Sequence, residues 1–365
     1  MGKRELFIIL GFVAVGTLAF QFTAPPATGT SSFSLGSFFN RARSEMRGNP
    51  GRAVNVTKDS IPVPAGLREV RLININEAVT VVGDSKTTID YEFSVTSNGP
   101  DDAGAMALAK ETVLQRDDVA ESLVLRAKFP DPGSQRATIT MHVPPGMTVR
   151  LESSSGANVT AVAGVHLEAM RGKVTLTDIA GGVTGAHQDG DLTIGGAKSI
   201  KLRLLRSKSR LSKITDGLTL DARDGDTEVT ESAGAMEVDE IRNELTVTGH
   251  RGSIAVRGND GRITIRQPQA DTRVDVRRAE VEVEINRVVP LTLITSEEPL
   301  RLILEGAPAF TLDAAASNAA IQAVDFDLKP EISESDARLS HVFGAKNDAK
   351  ITVRNTRGDI ILRKK

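Results

Sequence analysis

Five histidines, at 142, 166, 187, 250 and 341, are the first residues to test for chemistry. No two of them keep a ligand spacing such as His-x-x-x-His, so they read as strand-face or surface histidines rather than a metal centre. Serines are plentiful, yet none stands in Gly-x-Ser-x-Gly or beside a plausible base in the sequence. Cysteine is absent, which excludes thiolate metal sites, disulfides and cysteine nucleophiles. Asp189-Gly190-Asp191 and Asp224-Gly225-Asp226 are corner sequences before they are metal sites. The acidic run Asp221, Asp224, Asp226, Glu228 and Glu231 is the one place where weak calcium binding is conceivable. No residue earns a catalytic, cofactor-binding or metal-ligating assignment, and no cofactor is expected.

Basic residues gather at Lys198, Lys201, Arg203, Arg206, Lys208, Arg210 and Lys213. On a strand, alternate members share one face. That face is either a solvated surface or a basic stripe facing an anionic polymer or lipid headgroups. No aromatic residue interleaves the cluster, so no base-stacking platform is available. The whole chain carries 45 basic and 47 acidic residues, net -2, and no nucleic-acid partner is expected. Asn55-Val56-Thr57 and Asn158-Val159-Thr160 match a glycosylation sequon and read as coincidence.

The elements that would position these residues are set by a repeat. From Val165 onward a small unit recurs, Gly-x-apolar-x-apolar, as in Gly172-Lys173-Val174-Thr175-Leu176 and Gly252-Ser253-Ile254-Ala255-Val256. Its first apolar position falls at 165, 174, 183 and 192, and again at 218, 227, 236, 245, 254 and 263, with Thr at 227. Apolar residues two apart share one strand face, and the residue between them points to water. Nine is odd, so an unbroken strand would send equivalent positions to opposite faces, and each unit must contain a turn. The Gly or Asn ahead of each pair is expected to supply a corner at positive φ. Aromatic residues fit the same picture. Seven of twelve Phe fall in the first 39 positions, and none of Phe, Tyr or Trp lies between Phe129 and Phe310. A slim aliphatic core is therefore expected: an all-β, parallel β-solenoid (β-helix) with two or three nonamers per coil. An antiparallel meander also permits nine-residue steps, though it should alternate two kinds of turn. A calcium-binding nonapeptide array would need Gly-Gly-x-Gly-x-Asp in successive units, and Gly181-Gly182-Val183-Thr184-Gly185 is not followed by Asp at the right place and does not recur.

Around the repeat, residues 1–24 read as a signal-anchor or signal segment. Lys3 and Arg4 precede an uncharged run, 6–24, that is closed by Pro25 and Pro26. Nineteen residues at helical rise span about 28 Å, close to a bilayer core. Membrane contact through residues 6–24 is expected, with the C-terminal bulk outside the cytoplasm, or secreted to the periplasm if the leader is cut. Residues 25–52 read as a flexible linker. Residues 53–150 read as a mixed β/helix N-terminal capping region, with helix formers from Asp101 to Arg116. Residues 151–365 hold the solenoid repeats, irregular over about 306–346.

Three passages, in order, resemble the bacterial putative-adhesin family of β-strand-repeat envelope proteins, a domain of unknown function. They are the proline-glycine segment His142 to Gly156, the Gly-x-Val-x-Leu run, and the closing Ile351-Thr-Val-Arg-Asn-Thr-Arg-Gly358-Asp-Ile-Ile-Leu362. The likeness covers about residues 53–365. It implies a parallel β-helix in the cell envelope, often behind a membrane anchor, and carries over no catalytic residue. The expected function is thus a non-enzymatic, membrane-anchored structural or adhesion module, with an envelope polymer or protein as partner. A polysaccharide-binding or polysaccharide-processing β-helix is the alternative, and it would want paired carboxylates and stacking rings. An envelope sensor would need a partner to supply its cytosolic output.

Overall fold

A computed structural model describes residues 51–84, 87–152, 155–306, 309–344 and 349–365. The expected membrane segment, 6–24, and most of the linker lie outside the described residues, and the first strand, Gly51–Pro62, begins inside the stretch expected to be linker. No helix among the described residues is long and apolar enough to cross a membrane.

The described chain is nearly all β, joined into one large sheet system. Its core is parallel, and from residue 208 to residue 284 the register between neighbours is eighteen residues; it is sixteen at Thr148–Gly164, seventeen at Ala157–Val174 and nineteen at Thr272–Leu291. Leu218 pairs with Met236, Met236 with Ile254, and Ile254 with Thr272 in one ladder. Thr227 pairs with Leu245, Leu245 with Ile263, and Ile263 with Val281 in a second. Two nonamers therefore make one rung, a choice the nine-residue period alone left open. The antiparallel meander is excluded for this region, because every pairing from Thr148–Glu152 to Leu300–Leu304 is parallel.

The apolar pairs do what their spacing requires. Val165, Val174, Val183, Leu192, Leu218, Met236, Leu245, Ile254 and Ile263 are all at most 2 % exposed. Each rung stacks its aliphatic residues on those of the next, and full burial of one such side chain stabilises by roughly 1.5–3 kcal/mol. The ring-free stretch coincides with these ladders. The fully buried rings, Phe93 and Phe310, sit at the two ends.

The corners differ from expectation. Of Gly172, Gly190, Gly217, Asn243, Gly252 and Gly261, which precede the clearest pairs, Gly172 alone has positive φ. The left-handed position is the charged residue just before: Asp189 before Gly190, Asp224 before Gly225, Arg242 before Asn243, Asp260 before Gly261. Glycine follows because there is no room for a side chain. A Cβ on Gly190, Gly225 or Gly261 would come within 2.2–2.3 Å of a backbone oxygen one rung earlier. A second corner turns at Lys213, Glu231, Gly249 and Gln267, so two kinds of turn alternate after all, inside a parallel stack.

The ladders also begin earlier than residue 151. Glu69–Ile73 and Ala78–Gly83 already pair, in parallel, with Thr148–Glu152 and Ala157–Thr160. Capping falls instead to antiparallel strands. Val113–Val119 lies on Ser122–Lys128, while Gly51–Pro62 lies on Thr88–Gly99, which lies on Gln135–Val143. The expected helix is shorter than 101–116. It runs Asp102–Glu111, capped by Asp101 accepting from Gly104 N at 2.7 Å. Val113 then starts a strand. In the segment expected to be irregular, Phe310–Ser317 and Ile321–Ala323 extend both ladders, and antiparallel strands Glu331–Ser333 and Asp336–Phe343 close that end.

Candidate functional surface

The eighteen-residue step brings together two clusters that look separate in the sequence. Arg203, Arg206, Lys208, Arg210 and Lys213 stand eighteen residues before Asp221, Asp224, Asp226, Glu228 and Glu231. Lys208–Asp226 and Arg210–Glu228 are register partners on neighbouring rungs. Ion pairs close at 3.3 Å for Arg203–Asp221 and 3.6 Å for Arg210–Glu228. The basic stripe thus lies beside an acidic one of the same chain, and much of its field is cancelled there. The acidic run does not converge on a cation site either: Asp221 meets Arg203 and Arg223, and Asp224 meets Arg242. Among the described residues, no three acidic or histidine side chains are grouped to hold a metal ion.

The left-handed corners form a column of alternating charge. In stacking order it reads Asp189, Arg206, Asp224, Arg242, Asp260, Arg278, Glu297, Arg357, every one at positive φ. Arginine has no intrinsic liking for that conformation. Its return is a forked pair with the acid one rung earlier. Arg206 donates to Asp189 at 2.5 and 3.0 Å, Arg242 to Asp224 at 2.6 and 3.1 Å, and Arg278 to Asp260 at 2.6 and 2.9 Å. These hydrogen bonds hold the Asp189, Asp224 and Asp260 carboxyls below their ordinary range. The two Asp-Gly-Asp sequences are therefore corners whose first carboxylate is held by an arginine.

The histidines do not meet one another. His142 faces Asp84 at 3.3 Å, His166 bonds Thr184 at 2.9 Å, and His341 packs on Phe343. His187 and His250 are buried, and they correct the reading of the serines. His187 Nδ1 lies 2.8 Å from Ser207 Oγ, and His250 Nδ1 lies 2.8 Å from Ser232 Oγ. Each ring places Nε2 at 3.0 Å from a glycine carbonyl, Gly172 or Gly234, which fixes Nε2 as donor and Nδ1 as acceptor from the serine. Twenty and eighteen residues of separation hid both pairs. All four side chains are at most 3 % exposed, so each pair ties two rungs together rather than facing a substrate. Burial lowers both imidazoles from their ordinary value and keeps them neutral.

One interior group is out of keeping with its neighbours. Glu240 occupies an inward column between Ala222 and Gly258 and is 1 % exposed. Neither of its carboxyl oxygens, nor the amide nitrogen of nearby Asn243, has a hydrogen-bond partner. Glycines at 258 and 261 leave it space, since a Cβ there would come 2.4 Å from Glu240 O and 3.2 Å from Glu240 Oε2 respectively. Burial, helped by Asp260, pushes its carboxyl up to about 8.

No protein-family model matches the chain, and no curated protein matches it. Two solved structures align at 10 % identity. A putative cell adhesion protein from Clostridium sporogenes aligns over 87 % of this chain and all of its own, with a TM-score of 0.19. A putative adhesin from Bacteroides fragilis aligns over 84 % and 97 %, with a TM-score of 0.24. Scores this low fix neither the arrangement nor the activity of this chain.

Proposed function

We propose that the chain is a non-enzymatic parallel β-solenoid, anchored in the cell envelope by residues 6–24, that serves as a rigid structural or adhesion module. The observation that carries this reading is how the polar side chains are used. The charged corner column, the opposed stripes at 203–213 and 221–231, and the buried His–Ser pairs are each bonded to the adjacent rung. Such a surface stiffens the stack and leaves few groups poised to do chemistry. The anchor rests on the sequence of residues 6–24 and on their position ahead of the domain.

Fractionation tests placement. Full-length protein tagged at the C-terminus is expected in the carbonate-washed membrane pellet, with the tag open to protease added from outside the cytoplasmic membrane. Deletion of residues 6–24 is expected to leave it soluble and inside. A full-length protein found in the cytosol, or a tag protected from external protease, would remove the envelope reading. The purified 51–365 domain should release no reducing ends from envelope polysaccharides, and turnover there would favour the polysaccharide-processing alternative.

A further inference from the structure

At the C-terminal end the order of strands departs from the order of the chain. Lys350–Thr356 lies between Leu291–Ser296 and Phe310–Ser317, and Ile360–Lys364 lies between Leu300–Leu304 and Ile321–Ala323. The last rung in sequence is thus the second-last in the stack. Among the described residues, Phe310–Ser317 and Ile321–Ala323 pair with the rest of the ladders through this rung alone. Asp336–Phe343 and Glu331–Ser333 follow outward from Phe310–Ser317.

The rung is clamped on both sides. Toward the interior of the stack, Arg357 bonds Glu297 at 2.9 Å and Asn355 Nδ2 donates to Glu298 O at 2.9 Å. Gly358 lies so near Glu298 that a Cβ would come 2.3 Å from its carbonyl oxygen. Toward the outer end, Arg354 bonds Asp313 at 2.8 Å, while Asp359 accepts from Ala320 N and Gln322 Nε2, both at 3.0 Å.

We propose that residues 350–364 form a latch: they insert between two rungs that both precede them in the chain, and their release frees residues 310–343 as a unit. Two consequences follow from the pairing. The cap cannot dock before residues 350–364 are available. Release of the latch uncovers the edges of Leu291–Ser296 and Leu300–Leu304, whose inward residues Leu291, Leu293, Leu300 and Leu302 are at most 1 % exposed in the closed form.

The absence of cysteine makes a clean test possible in the full-length chain. Thr292 and Thr352 are register partners. In Thr292→Cys/Thr352→Cys, a disulfide pins the latch, and the reduced form of the same protein is its control. Amide exchange read by mass spectrometry should slow by about tenfold or more at 311–317 and 321–323 on oxidation. A mid-ladder lock, Thr246→Cys/Thr264→Cys, should leave those peptides unchanged. Equal exchange at 311–323 in the oxidised and reduced latch protein overturns the proposal, as does equal slowing by the mid-ladder lock. So does failure of the two introduced thiols at 292 and 352 to join, which would place the two strands apart.

Discussion

Glu240 and the two buried histidines pull the stability of this protein in opposite directions with pH. Glu240 titrates near 8 in the folded chain, against about 4.5 when exposed. A raised carboxyl favours folding below its unfolded value, and that contribution is lost as pH rises from 4.5 through 8. His187 and His250, lowered from 6.5, favour folding above 6.5 and withdraw that contribution as pH falls below it. Glu240→Gln is therefore expected to raise the urea midpoint, by more at pH 8.5 than at pH 5; an equal shift at both would mean the carboxyl is not buried and neutral. Glycines make a second test. A Cβ on Gly252 would come 1.7 Å from Gly234 O, whereas one on Gly146 meets nothing within 4 Å. Gly252→Ala should cost about 2–3 kcal/mol by urea titration, an overpacking penalty, and Gly146→Ala far less. At this scale the sequence was only partly legible. Glycine ahead of each pair was visible, but at Gly190, Gly252 and Gly261 its reason, close approach and not positive φ, depends on the rung beneath it. The His–Ser pairs were hidden because eighteen or twenty residues of chain separate partners that touch.

Strands and corners divide the information differently. Apolar spacing identified the strands, since burial of alternate residues is written directly into residue type, and Val174, Leu192, Leu218 and Ile254 are all inside. Corner geometry was not written there, because Asp224 and Arg242 share a left-handed backbone while differing in charge. What they share is position relative to a neighbour, and the alternation of acid with arginine every eighteen residues becomes meaningful once the rung length is known. The same step explains the clusters at 203–213 and 221–231, which have the composition of two binding surfaces and the register of one mutual contact. Arg242→Glu would put acids on three adjacent rungs, at 224, 242 and 260. Its melting temperature is expected to fall below that of Arg242→Gln, with the difference between them shrinking in about 0.5 M salt. A salt-independent difference would mean that the column acts through packing and not through charge.

For the molecule as a whole, the ends were the least legible part. Both chain-terminal rungs of the described domain lie one step inside the stack. Glu69–Ile73 sits between Ser122–Lys128 and Thr148–Glu152, as Lys350–Thr356 sits between Leu291–Ser296 and Phe310–Ser317. Sequence order gives no hint of such interleaving, because the apolar pattern of an inserted rung is the same as that of an end rung. Antiparallel strands then cover the outer edges, a physical answer to the tendency of open strand edges to recruit other chains. The parallel stack rests on a step of eighteen residues, nineteen at Arg273–Thr292. Thr219, Glu237, Ala255, Arg273 and Thr292 are successive register partners in one ladder. Spin labels placed in pairs on these positions, after substitution to cysteine, measure the step directly. Adjacent pairs are expected at about 5 Å between backbones, and 219 to 292 at about 19 Å, growing by one strand spacing per rung. Separations that fail to grow in equal steps along the series, or a 219–292 distance well beyond that sum, would contradict the parallel stack.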